Sequence, residues 1–113
     1  MKVTQSSTLM PSLLAQAKRL GDLLARLRIA RGIKQTEAAL RAGISRNTVY
    51  RLEHGDPGLA LGQVLRYLDA IAPGTSLDQL YLENDPALIV LAARERTSRV
   101  RGMSAAERRE LDF

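Results

Sequence analysis

The sequence predicts an all-α fold, and three observations carry this prediction. Apolar residues make up 45% of the 113 residues while aromatic residues make up only 4%. A core built from Leu, Ile, Val and Ala favours helices, because Leu and Ala lose little free energy on entering one. Apolar residues recur at spacings of three and four, and Gly and Pro divide the chain into short segments. A chain of this length forms one ordinary domain.

The first helix is predicted to begin at Pro11-Ser12, after a polar segment, residues 1–10, that we expect to be frayed. Gly21 lies inside the apolar stripe and lowers helix stability, so the stripe could form one helix or two. Arg31-Gly32 ends it, since Gly is preferred just past a helix end. The stripe consists of Leu13, Leu14, Ala17, Leu20, Leu24 and Leu27.

Four shorter helices are predicted next, each delimited by turn residues. They span residues 35–42, 45–54, 59–72 and 76–83. The second of these is followed by a turn of Asp, Pro and Gly, and the third ends before Pro, which rarely continues a helix. The last begins with a capping box. Together with the first helix they make a domain over residues 12–84. The closing residues are Gly43, Gly55 and Pro73-Gly74, and the capping box is Ser76-Leu77-Asp78-Gln79.

Residues 85–113 are predicted to form a C-terminal extension. Within it, residues 87–96 fit a helix or a short buried strand, and an Asp followed by Pro at the start favours the helix. A linker is expected at 97–102, and a capping box at Ser104 opens a short charged segment. A basic run along this extension can be a solvated tail, an arm along a nucleic-acid backbone or a docking segment. The run is Arg94, Arg96, Arg99 and Arg101.

The charge of the chain is unevenly distributed. The net charge is +5. From residue 18 to residue 51 there are nine basic and two acidic residues, whereas residues 52–91 have one basic and six acidic residues. A basic half suggests a polyanionic partner, although a charged surface alone is weak support for one.

Several classes of protein are disfavoured by what the sequence lacks. There is no Cys, which excludes disulfides and thiolate metal sites and fits a cytoplasmic location. The longest apolar run, residues 87–93, is too short to span a bilayer, and the first residues lack the apolar core of a signal peptide. We find no motif of catalytic or phosphate-binding residues. We therefore expect no membrane association, metal, cofactor or enzymatic activity.

The most informative segment is residues 32–55, where two short helices meet at a turn. Gly43 supplies the positive φ that a tight turn needs, and Ala39 is small enough to let the helices cross closely. Ile44, Val49 and Leu52 are predicted to point inward. This pattern is typical of a helix-turn-helix motif.

The residues between those apolar positions are predicted to face outward. Arg46 and Tyr50 share one helix face, with Asn47 and Arg51 beside them. In the major groove of DNA, Arg pairs with guanine and Asn with adenine. Ser45 is a good N-cap, and the free amides it leaves can hold a phosphate. A solvated helix face is the alternative reading of these side chains.

In this segment the sequence resembles the lambda-repressor-like (Xre/Cro-type) helix-turn-helix regulators. The resemblance covers about residues 20–71. It rests on the turn glycine, Gln35 at the start of the first motif helix and the closing Leu52-Glu53-His54-Gly55. Ala38 departs from the family pattern, which has a larger Leu there, so a looser contact between the helices is expected.

The resemblance implies a five-helix domain that binds double-stranded DNA. It implies that Gln35 contacts backbone phosphate and that Arg28 and Glu53 form a buried salt bridge. It also implies a homodimer that places two recognition helices about 34 Å apart on a palindromic operator. The expected base contacts are Arg46, Asn47, Tyr50 and Arg51. Further candidates for backbone contact are Ser45, Lys34, Thr48 and Arg19. The alternative for Lys34 and Arg19 is a solvated charge, and the alternative for Gln35 is a plain helix cap.

Three functions follow from these expectations. The first is a transcriptional regulator, most simply a repressor, that reads the major groove with residues 45–54. The second is an antitoxin that represses its own operon and binds a toxin through residues 85–113. The third is a helix-turn-helix fold kept as a protein-binding scaffold, which the outward Arg and Asn side chains argue against.

Overall fold

The computed structural model describes residues 9–101, and over these residues the chain is all-α, as predicted. Five helices form the domain and a sixth follows it, with no strand in the described range. Across the same residues no helix combines the length and apolarity needed to cross a membrane. The charged segment predicted from Ser104 and most of the N-terminal segment lie outside the described residues. The helices are α1 (Pro11–Ala30), α2 (Gln35–Ala42), α3 (Arg46–Glu53), α4 (Leu61–Ile71), α5 (Leu77–Leu82) and α6 (Pro86–Arg101).

The core forms where α1 crosses the other helices. α1 contacts α3, α4, α5 and α6, whereas α2 packs on α3 and α4. Most of the core is aliphatic, in line with the composition, and among the residues that the structure describes a single aromatic side chain is buried in it. That residue is Tyr67 on α4. The largest fully buried side chains are Tyr67, Leu24, Leu27, Leu68, Ile71, Leu80 and Val49.

Gly21 does not divide α1, which runs unbroken through it. A Cβ atom at Gly21 would lie 2.6 Å from the backbone nitrogen of Gly55 and 2.7 Å from the backbone oxygen of Leu52. The glycine therefore permits a backbone-to-backbone contact between α1 and the end of α3. The contact is mutual, because a Cβ at Gly55 would lie 2.4 Å from the Cα of Lys18.

The apolar stripe of α4 is only partly in the core. Leu68 and Ile71 are buried and Val64 is half-buried, but Leu61 is 65% and Leu65 45% exposed. Two leucines of α4 are thus left on the surface.

The C-terminal helix is longer than predicted. α6 continues through Arg101, so the linker expected at 97–102 is wrong for residues 97–101, and the strand alternative is wrong as well. The Thr97 hydroxyl donates to the Ala93 carbonyl oxygen at 3.1 Å, and no Gly or Pro interrupts the segment before Gly102. Asp85 caps the helix by accepting from the Ala87 amide at 2.9 Å.

Candidate nucleic-acid interface

A glycine turn joins α2 to α3. Gly43 has φ of 68°, and the Ile44 amide donates to the Ala39 carbonyl oxygen at 3.0 Å. This bond is the six-residue closure of a Schellman motif, which requires a left-handed residue at this place. Ala38, Ala39 and Ala42 are buried, so small side chains line the contact of α2 with its neighbours. At Ala38, the position that departs from the family pattern, the side chain is fully enclosed.

Ser45 caps the N-terminus of α3. Its hydroxyl oxygen accepts from the Thr48 amide at 3.1 Å and lies 2.9 Å from the Thr48 hydroxyl oxygen. The cap leaves the first two amides of the helix, those of Arg46 and Asn47, without an intrahelical partner. Such amides, together with the positive end of the helix dipole, favour an anion.

The two faces of α3 are sharply different. Val49, Leu52 and Glu53 are buried against the domain. The four predicted base-contact residues are all exposed, and the structure brings them together on the outer side of the helix. They are Arg46, Asn47, Tyr50 and Arg51.

Two of these four outward side chains have neighbours within the chain. The rings of Tyr50 and His54 stack, with centroids 3.8 Å apart, and His54 Nδ1 lies 2.7 Å from the Tyr50 carbonyl oxygen. The Nε of Arg51 donates to Asp56 Oδ2 at 2.7 Å. Neither contact was predicted from the sequence.

On the inner side of α3, Glu53 is the acceptor of a buried polar cluster. Arg28 donates to its carboxylate twice, from Nε at 2.6 Å and from Nη2 at 2.9 Å. The Gln35 amide donates at 3.1 Å, and the Tyr67 hydroxyl donates as well. The third nitrogen of Arg28, Nη1, donates to the Ile33 carbonyl oxygen at 2.9 Å. The cluster therefore joins α1, α2, α3 and α4.

Burial and hydrogen bonding act in opposite directions on this cluster. Burial raises the pKa of the Glu53 carboxyl, but the hydrogen bonds from Arg28, Tyr67 and Gln35 outweigh it, so the pKa lies below its ordinary value. Burial and the bond to Glu53 raise the pKa of Tyr67. The side chains of Arg28 and Glu53 are only 11% and 4% exposed. The ion pair is therefore charged and almost dry.

Tyr67 is the member of this buried cluster that sequence reasoning missed. Its position was detectable, because it lies three residues after Val64 and four before Ile71, on the apolar face of α4. Gln35 was expected to contact phosphate or to cap its helix; it is half-buried, and its side-chain amide donates to Glu53.

The remaining backbone-contact candidates do not all lie together. Lys34 is exposed just before α2, and Thr48 lies at the Ser45 cap. The Arg19 guanidinium instead lies over the Tyr81 ring, 5.5 Å from its centroid. Seven residues on, Arg26 on the same face of α1 pairs with Glu95 of α6. Arg19 thus faces α5 and α6, away from α3.

A helix pair joined at a glycine turn, with a polar outer face on its second helix and a buried inner face, defines a DNA-binding helix-turn-helix domain. A protein-family model described as a helix-turn-helix domain matches residues 19–78, which is more than half of the chain. The chain belongs to this helix-turn-helix family, a finding consistent with the resemblance to lambda-repressor-like proteins. Comparisons with curated proteins and with solved structures gave no match.

Proposed function

We propose that the chain is a sequence-specific transcriptional regulator of the Xre type that binds double-stranded DNA with α3 in the major groove. The observation that carries this proposal is the outward row of Arg46, Asn47, Tyr50 and Arg51 on a helix whose other face is buried. Arg and Asn side chains can each make two hydrogen bonds to one base edge. A surface kept only for solubility would not require these four side chains together on the outer face of α3.

Each exposed group has a role in this proposal. Arg46, at the first position of α3, reads a guanine, and Asn47 beside it reads an adenine. Tyr50 contacts a thymine methyl or the backbone. The capped N-terminus at Ser45 and Thr48, with Gln35 and Lys34 at the start of α2, holds phosphates. Arg19 is left out of the phosphate set because it lies over Tyr81, on the side of α1 away from α3.

We infer that the regulator is a homodimer and acts as a repressor. Leu61 and Leu65 of α4 leave apolar surface exposed, which a second copy would cover. A symmetric dimer matches a palindromic operator with half-sites about 34 Å apart. Occupying such a site is sufficient to exclude other proteins from the same DNA, which is why repression is the simplest outcome.

The proposal is tested by selecting bound sequences from random DNA at a fixed salt concentration and measuring affinities for the selected site and for random DNA. Arg46→Ala should lose about 1–3 kcal/mol on the selected site and relax the preference at one position. Lys34→Ala should weaken binding to both DNAs alike and lower the slope of log affinity against log salt concentration by about one.

Arg41→Ala is the matched control, because it removes the same charge from an exposed side chain on α2 that pairs with Glu37. It should lower affinity slightly for both DNAs and leave the base preference unchanged. Equal losses on both DNAs for Arg46→Ala would contradict the assignment of base reading, and selection of no sequence at all would contradict the proposed function.

A second candidate function is an antitoxin that also binds a protein partner through the C-terminal extension. α6 lies outside the matched residues 19–78, and three of its large apolar side chains are exposed. They are Ile89, Val90 and Val100. A toxin would cover this surface while α3 remained free for DNA.

The antitoxin candidate is tested with the product of the neighbouring gene. Ile89→Lys changes an exposed residue and leaves Leu88, which is buried, in place. If the candidate is right, the neighbouring protein binds the wild-type chain and not the variant, and DNA affinity is unchanged. Failure of that protein to bind the wild-type chain would exclude the candidate.

A further inference from the structure

The Arg51 side chain is held in place by a residue outside α3. Its Nε donates to Asp56 Oδ2 at 2.7 Å, and the other carboxylate oxygen, Oδ1, accepts from the Gly58 amide at 2.8 Å. Both oxygens of Asp56 are therefore engaged, one by the turn and one by the arginine. The Gly58 amide and the Arg51 guanidinium lower the pKa of Asp56, so the carboxylate is charged at neutral pH.

The backbone fixes where Asp56 lies. Its amide donates to the Arg51 carbonyl oxygen at 3.0 Å, and the Gly55 amide donates to the Leu52 carbonyl oxygen at 3.1 Å. These two bonds, with Gly55 at φ of 72°, form a Schellman motif at the end of α3. The motif brings Asp56, the residue after its glycine, close to Arg51, the third residue before the C-cap residue His54. That contact is commonly apolar, and here it is an ion pair.

The pairing through Nε leaves the far end of the guanidinium available. Arg has five N–H donors, and the four on Nη1 and Nη2 are not used by this bond. The side chain of Arg51 is 43% exposed. A Cβ built on Gly58 would lie 3.9 Å from Arg51 Nη2, an ordinary van der Waals distance, so Gly58 lies beside that nitrogen without blocking it. Two parallel N–H groups at the end of an arginine match the O6 and N7 acceptors of guanine.

We propose that Asp56 is a positioning residue that presents the two terminal nitrogens of Arg51 to one guanine, which makes the pair a specificity determinant for one G·C position. The inference rests on the proposed function. An arginine held in its binding geometry loses less side-chain entropy when it binds, and a guanidinium held through Nε can offer a base only its terminal nitrogens.

Asp56 also carries a negative charge close to Arg51 and the exposed face of α3. A role in positioning and a role in repelling DNA therefore predict different changes in DNA affinity when that charge is removed. If Asp56 positions Arg51, removing its charge lowers discrimination between bases. If Asp56 only repels phosphate and neutralises Arg51, removing its charge strengthens binding to every sequence alike. The ratio of affinities for two sequences that differ at one base pair separates these effects.

The experiment uses the full chain and the sequence that it selects from random DNA at a fixed salt concentration. Arg51→Ala identifies the base pair whose preference is lost. Affinities are then measured for the selected site, for the same site with that G·C pair changed to A·T, and for random DNA. The variants are Asp56→Asn, which removes the charge and leaves one acceptor oxygen in place of two, and Arg51→Ala combined with Asp56→Asn.

We expect wild-type protein to prefer the G·C site by at least about tenfold and Asp56→Asn to lose most of that preference while its affinity for random DNA stays equal or rises. In the Arg51→Ala background the Asp56 change should have no effect on the ratio. Asp78→Asn, an exposed residue of α5, is the matched control for charge and should leave the ratio unchanged. Thermal unfolding of Asp56→Asn should stay close to wild type, because exposed ion pairs contribute little to stability.

Each result decides the matter. An unchanged ratio in Asp56→Asn, or a parallel rise in affinity for all three DNAs, overturns the inference and leaves the proposed function standing. The same holds if Arg51→Ala removes no base preference. If wild-type protein selects no sequence, the proposed function fails and the inference fails with it.

Discussion

Two helices, α3 and α6, are held against α1 by pairs of arginine and carboxylate, and the two attachments differ in burial. α3 is attached through Arg28 and Glu53, whose carboxylate also accepts from Gln35 and Tyr67 inside the domain. α6 is attached through two partly exposed pairs and one buried leucine, Leu88. The pairs are Arg26 with Glu95 and Arg31 with Asp85.

The difference in burial indicates that α3 is held firmly by the domain and that α6 is held weakly. An exposed ion pair contributes about 0–1 kcal/mol and is screened by salt. Breaking a buried pair by removing one partner costs about 3–5 kcal/mol, because a desolvated charge is left uncompensated. We therefore expect α3 to open only with the whole domain, whereas α6 should open locally at lower free energy.

The largest effect is expected for Glu53→Gln. It leaves the Arg28 guanidinium buried without its counterion, and the free energy of unfolding should fall by about 3–5 kcal/mol in urea titrations. Glu95→Gln, the same change in the pair that holds α6, should unfold close to wild type. Similar losses for the two variants would show that burial does not separate the two attachments.

A smaller loss is expected for Gly21→Ala. An isolated helix would gain from this change, but the Cβ would lie within 3 Å of three backbone atoms at the end of α3. We expect a loss of about 1–3 kcal/mol in the free energy of unfolding. The control is Gly62→Ala in the first turn of α4, where no atom lies within 4 Å of the added Cβ, and stability should rise by up to about 1 kcal/mol. A gain for both variants would contradict the close contact.

Asp85→Ala should loosen α6 alone. It removes both the cap on the Ala87 amide and the pair with Arg31, a loss of about 1 kcal/mol. Native-state hydrogen exchange should show faster exchange of α6 amides and unchanged exchange in α3. Asp22→Ala, which breaks only an exposed pair within α1, is the control. Faster exchange in α3 as well would mean that the two helices open together.

The smallest effect is expected from mild acid. Because the pKa of Glu53 is lower in the folded chain than its ordinary value of 4.5, its contribution to stability is present above that pH and is lost below it. Urea titrations from pH 7 to pH 5 should therefore change little, and stability should fall as the pH drops further. Glu53→Gln should show a shallower decline at acid pH, and an identical slope would contradict the lowered pKa.

The helix-turn-helix segment could be predicted from the sequence because each of its features is local. Gly43 and Gly55 indicate turns because glycine readily adopts the positive φ that these turns need. The spacing of Val49 and Leu52 is sufficient to identify the inner face of α3. The observed bounds of α2 and α3 lie within one residue of the prediction.

What could not be predicted depends on contacts between distant residues. Gly21 has an unfavourable helix propensity, and only its contact with Gly55 explains why a glycine stands at this position. Tyr67 was overlooked because its hydroxyl is satisfied by Glu53, fourteen residues away. Asp56 followed by Pro and Gly indicates only a turn. Its bond to Arg51 depends on the three-dimensional arrangement at the end of α3, which the sequence pattern does not specify.

The contact of α1 with the end of α3 involves main-chain atoms on both sides, at Gly21 and Gly55. Because no side chain of the outer face of α3 takes part in this contact, the packing of α3 on α1 at this point does not depend on which side chains that face carries. Under the proposed function, descendants of this chain can exchange Arg46, Asn47 or Tyr50, and so acquire a new target sequence, while keeping the same packing of α3 on α1.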